Sequence, residues 1–121
     1  MHASSAINRV AVAARTGRGR PCTVTVERGR LGGHVLRYDG SESVVAELAP
    51  EVIELLPIAL SVVGRTTIWA RLPGGDACTL LVVGQRDGAQ LYFHAAAGLC
   101  AVFDRAGADR LRGAVEQLRS R

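Results

Sequence analysis

From residue 22 onward the apolar positions recur mostly every second residue, and only two stretches recur at helical spacing. Cys22–Arg28 sets Cys22, Val24 and Val26 against Thr23, Thr25 and Glu27, which is the pattern of a half-buried strand. Gly33–Asp39 reads as its hairpin partner after the glycine-rich 29–33 turn, and Ser43–Leu48 as a third strand after Asp39-Gly40. Pro50 suits the first position of a helix whose stripe is Val52, Ile53 and Leu56, and Pro57 is expected to kink it. Thr66–Leu72 alternates again. Cys78–Val83 is apolar apart from Thr79, as in a central strand covered on both faces. Ala89–Ala95 and Leu99–Phe103 follow as strands. Ala106–Ser120 closes the chain as the best helix, with Ala108, Leu111, Val115 and Leu118 on one stripe.

The N-terminal segment fits a different period. Ile7, Val10, Ala11 and Ala14 share a helical face, with Ser4 or Ser5 as cap and Gly17 as stop. Residues 1–21 therefore read as a basic arm or short helix ahead of one domain spanning 22–121. The expected architecture is α+β: an antiparallel sheet of about six to seven strands, with a kinked central helix and a C-terminal helix packed on one face. An internal repeat adds to this picture. Cys22-Thr23 through Gly32 aligns with Cys78-Thr79 through Gly88 at a constant spacing of 56, and the same spacing pairs Val44 and Val45 with Cys100 and Ala101. An internal duplication of strands followed by a helix would produce this.

Charge changes the picture only when divided along the chain. All 15 basic residues are arginine. Residues 1–37 hold seven of them against Glu27 alone, whereas residues 38–121 hold eight against ten acids. The net charge of +4 is thus a property of the N-terminal third. Within it, Arg18-Gly19-Arg20-Pro21 resembles the core of an AT-hook, the short arm that lies in the minor groove of A·T-rich DNA. That resemblance implies nucleic-acid contacts by Arg9, Arg15, Arg18 and Arg20, assisted by Arg28, Arg30 and Arg37.

Candidate chemistry is sparse. The ligand types for a metal are His2, His34, His94 and three cysteines, with no C-x-x-C or H-x-x-x-H spacing, so neither a metal nor another cofactor is expected. No G-x-S-x-G elbow and no pair of acids stands out, so no catalytic residue is assigned. Cys22, Cys78 and Cys100 are odd in number and read as buried thiols of a reducing cytoplasm, in keeping with the lysine-free, GC-rich composition of a bacterial chain. The longest apolar run, Val52 to Val63, is interrupted and too short for a bilayer, so no membrane partner is expected.

These features favour a non-enzymatic binding module acting through a sheet face or edge as a homodimer, with Val52, Ile53, Leu56, Trp69 and Tyr92 at the interface. The alternative is a nucleic-acid-binding protein that uses the arginine-rich arm. A small enzyme or thiol-dependent protein is the third class, and it would need a reactive Cys22 or Cys100.

Overall fold

The structure is a computed structural model that describes residues 8–29, 32–93 and 99–119. Four strands, β1 (Arg9–Thr16), β2 (Pro21–Arg28), β3 (His34–Asp39) and β4 (Ser43–Leu48), lead into two short helices, α1 (Pro50–Ile53) and α2 (Leu55–Ser61). Four more, β5 (Gly64–Arg71), β6 (Ala77–Gln85), β7 (Gly88–Phe93) and β8 (Leu99–Asp104), lead into the long helix α3 (Arg105–Arg119). The strands are antiparallel to their neighbours and close in chain order into one eight-stranded barrel.

Alternation decides which side chains face inward. Cross-strand partners share a face, so Val12, Val24, Tyr38 and Val44 form one inward row, and Val10, Val26, Leu36 and Ala46 the next. In the second half the corresponding rows are Ile68, Leu80, Phe93 and Leu99, then Thr66, Val82, Leu91 and Ala101. Tyr38 and Phe93 meet across the interior with ring centroids 5.5 Å apart, which ties the halves together in one core.

Pairing within each half is long, but pairing between halves is not. Among the described residues, β4 meets β5 only where Glu47 lies opposite Arg71, and β1 meets β8 where Arg15 and Thr16 lie opposite Val102 and Ala101. The barrel is therefore two four-stranded meanders joined at two narrow seams. The helices cross these seams. α2 packs on β5 and β6 of the second meander, α3 packs on β1 and β2 of the first as well as on β7 and β8, and the two helices touch. Asp104 starts α3: its Oδ1 accepts the Gly107 amide hydrogen bond at 2.6 Å, satisfying one of the free donors of the first turn. Ala108, Leu111, Ala114, Val115 and Leu118 form the buried stripe of that helix.

The halves repeat in detail. Thr16 N donates to Arg20 O at 2.7 Å, and Leu72 N donates to Asp76 O at 2.8 Å. Gly19 and Gly75 adopt positive φ (83° and 99°), a conformation open to glycine at little cost. Arg15 Nη1 donates to Gly19 O at 2.9 Å, and Arg71 Nη1 donates to Gly75 O at 3.0 Å. Every one of these pairs is separated by 56 residues, the spacing read from the cysteines.

Several expectations are corrected. The helix expected to end at Arg15 is strand β1 over Arg9–Thr16, and residues 1–7 lie outside the described residues. That strand raises the count to eight, against the expected six to seven, and it closes the sheet. The central helix breaks at Glu54 rather than at Pro57. Proline lacks an amide hydrogen and crowds the carbonyl four residues earlier, so its effect falls at Ile53 and Glu54. β6 is not covered on both faces, because Leu80 and Val82 are buried while Leu81 and Val83 are half-exposed.

Candidate functional site

Each seam opens into a groove, and the two grooves are built from equivalent positions. The one at the β4–β5 seam has a volume of about 1330 Å³ and the one at the β1–β8 seam about 660 Å³. Trp69, Ala70, Arg71 and Ala77 line the larger; Ala13, Ala14, Arg15 and Pro21 line the smaller. Glu47 and Leu48 on one side correspond in the same way to Phe103 and Asp104 on the other. All six pairs obey the spacing of 56.

What differs is the furnishing. Where the smaller groove has Ala13, the larger has Trp69, the sole tryptophan of the chain, 68% exposed. An outward cross-strand row runs Glu27, Val35, Glu47, Arg71, Ala77 through the larger groove. Arg37 Nη2 donates to Glu27 Oε1 at 3.2 Å, and Arg9 Nε lies 3.9 Å from Glu27 Oε2. Three arginines (Arg28, Arg37 and Arg71) face two glutamates (Glu27 and Glu47) in the lining, and Glu27 is already engaged. Leu48, Val52 and Ala70 supply apolar wall.

His34 is the exceptional group of this groove. It sits on the inward row between Arg28 and Leu48, lines the larger groove and is only 6% exposed. Neither ring nitrogen has a hydrogen-bond partner. Burial pushes its pKa below the ordinary histidine value, and the charges of Arg28 and Arg119 act in the same direction, against the Leu118 carbonyl. The imidazole is thus held neutral, its ring nitrogens outside good hydrogen-bond geometry even toward the Leu118 carbonyl, an arrangement that costs stability unless something else is gained.

The residues singled out from sequence are scattered by the fold. The Arg18-Gly19-Arg20-Pro21 segment is a closed hairpin turn leading into β2, held by the Thr16 and Gly19 amide bonds, not an extended arm. Arg15 is tied to that turn, Arg9 pairs with Glu27, and Arg30 lies outside the described residues. Arg20 and Arg28 stand at opposite ends of β2, roughly 25 Å apart along an extended strand. A cluster in sequence becomes two separate groups in space. Of the interface positions, Ile53 and Leu56 are 2% and 0% exposed and belong to the chain's own core. Val52 and Trp69 line the larger groove, and Tyr92 lies on the outer face, its hydroxyl donating to Gln90 Oε1 at 2.7 Å. His94 lies outside the described residues.

The apolar stripe of the central helix, which in sequence runs on from Val52, Ile53 and Leu56 to Ile58 and Leu60, divides in space, and an exposed part lies on the opposite side of α2. Leu55, Ile58 and Val62, joined by Val63, stay open to water even though the helix also carries a buried stripe. Their i, i+3, i+7 spacing was the available signal. The thiols of Cys22, Cys78 and Cys100 are all raised in pKa by burial, which keeps the nucleophilic thiolate scarce at neutral pH. Among the described residues, no group of three or more histidine, cysteine or acidic side chains could hold a metal. No helix among them is long and apolar enough to cross a membrane. Comparison with known protein families, curated proteins and solved structures gives no match.

Proposed function

We propose that the protein is a non-enzymatic binding module whose working surface is the β4–β5 groove beside Trp69. One observation carries this reading: two equivalent grooves exist, and only this one combines an exposed tryptophan, a cluster of arginines and a buried, unpartnered histidine. A large aromatic ring held in water contributes little to folding, and exposed aromatics beside arginines are the residue types that dominate binding surfaces. The repeated turns and the constant spacing support reading the two halves as a duplication in which one groove has been specialised. The test is a fragment screen followed by amide chemical-shift mapping. Hits are expected to move Gly29, Val35, Glu47, Ala49 and Trp69; hits that prefer Ala13, Arg15 and Gln85 of the other groove overturn the reading.

A second reading, association with another copy, rests on the exposed stripe of α2. Leu55, Ile58, Val62 and Val63 are 44%, 60%, 48% and 71% exposed. Glu51, and Glu54 paired with Arg119 at 3.4 Å, lie toward the N-terminal end of this stripe. Arg65, and Arg112 reaching Ser61 Oγ at 3.3 Å, lie toward its C-terminal end. Two such helices packed antiparallel about a two-fold axis would bring opposite charges together, as a self-complementary interface requires. Sedimentation velocity should show a dimer that Ile58→Asp dissociates; a strict monomer at high micromolar concentration rejects this reading.

A further inference from the structure

We propose that the ligand of the β4–β5 groove is a small organic anion whose charge is carried on a planar apolar ring; this rests on the groove being the binding surface. Three features of the lining converge on that class. Trp69 offers a flat, water-exposed face beside the apolar wall of Leu48, Val52 and Ala70, which suits a ring and rewards its burial. Arg71, whose Nη1 holds the Gly75 carbonyl, and Arg37, two strands away and paired with Glu27, both bring guanidinium groups to the lining, and their remaining donors suit carboxylate and phosphate oxygens. His34, in the lining and buried, has neither ring nitrogen in good hydrogen-bond geometry, the Leu118 carbonyl acting on it only weakly enough to leave its pKa lowered.

A cation is the competing class, because a tryptophan face attracts positive charge. The charges around it argue the other way. Arginines outnumber glutamates in the lining, and Glu27 is already taken by Arg37 and Arg9. Glu47 shares its cross-strand row with Arg71. With one more arginine than glutamates in the lining, a cationic ligand adds to a net positive charge, whereas an anion offsets it. The size of the cleft is not selective: it exceeds what a drug-sized ligand needs. Selection therefore falls to the ring and the charge together.

The experiment follows the indole N–H resonance of the sole tryptophan during titration with 2-naphthoate and with its neutral counterpart, 2-naphthalenemethanol. The expected result is a saturable shift with both, the anion binding about tenfold tighter, as one charge-assisted pair in a partly exposed site supplies. Arg71→Gln should remove that preference, so that acid and alcohol bind that variant equally, and Arg37→Gln, which leaves the β5–β6 turn intact, should reduce it. Equal affinity for acid and alcohol overturns the charge assignment but leaves the groove as a binding surface. An indole signal that neither compound moves overturns the groove itself.

Discussion

The two ends of the barrel follow one plan and are finished differently. Toward the end where α2 finishes, an inward row runs Gly64, Gly84, Ala89, Phe103; at the equivalent end beside α3 the row runs Arg28, His34, Leu48. Arg28 and Gly84 are separated by the repeat spacing. Glycine at 84 lets the chain at the end of α2 descend onto the sheet: a β-carbon there would collide with the Val62 carbonyl and come within 3.0 Å of the Ala59 carbonyl. Arg105 then closes this end, donating from Nη2 to Gly88 O at 2.9 Å and to Leu60 O at 3.3 Å, acceptors that the helix and turn leave open. At the other end the row carries two large polar side chains, Arg28 and His34, beside Leu48, and the cleft stays open. Sealing needs small residues that let the helix descend. Opening needs bulk.

The largest test of this contrast is to spoil the sealed end. Gly84→Ala should destabilise the fold by about 3 kcal/mol in urea denaturation, because the obstacle is backbone and cannot rotate away. A loss under about 1 kcal/mol would show that the close approach of α2 is not what seals this end.

A smaller effect is expected at the open end, and its sign depends on pH. The folded pKa of His34 lies below the ordinary 6.5, so its neutral form is favoured by folding. Above pH 6.5 nothing is lost; as pH falls below that value, the unfolded chain takes up a proton that folded His34 resists, and stability drops. Between pH 7.5 and 5.5 the drop from this group is at most about 1.5 kcal/mol. His34→Leu should remove this component, seen as a flatter pH dependence of the urea midpoint, and should match or exceed wild-type stability at pH 5.5. An unchanged slope would mean that the imidazole is not held neutral by burial.

The smallest expected effect is Trp69→Ala, within about 0.5 kcal/mol of wild type, since most of the ring is in water. The same variant should abolish naphthoate binding. A large loss of stability would instead make Trp69 a packing residue and remove its standing as a binding anchor.

Much of this fold could be read in advance, for identifiable reasons. Ser43–Leu48 matches its strand residue for residue because both ends carry turn chemistry and the interior alternates. The 56-residue spacing was visible in the cysteines, and the structure extends it to turns, arginine anchors and grooves. β1 was misread because alanine fits either period: Ala11 and Ala14 complete a helical face with Val10, while Val10, Val12 and Ala14 equally complete a strand face. The β-branched Val10, Val12 and Thr16 were the better guide. The groove itself was hidden. It depends on one long-range pair, Glu47 opposite Arg71, and nothing local announces that pairing. Ile53 and Leu56 were recognised as an apolar stripe, but a stripe does not say whether it meets its own core or a partner. His34 became notable only once its burial was known.

The crossing of the helices bears on how the chain comes together. Because α2 rests on β5 and β6 while α3 is shared between β1 and β2 and its own β7 and β8, separating the meanders strips each of part of its helical cover. Unfolding should therefore be a single cooperative event, with no half surviving the other. Separately expressed fragments ending and beginning between Val62 and Gly64 should stay unstructured alone and regain order when mixed. An isolated N-terminal fragment at high concentration would have one other recourse, to complete itself with a copy of its own kind.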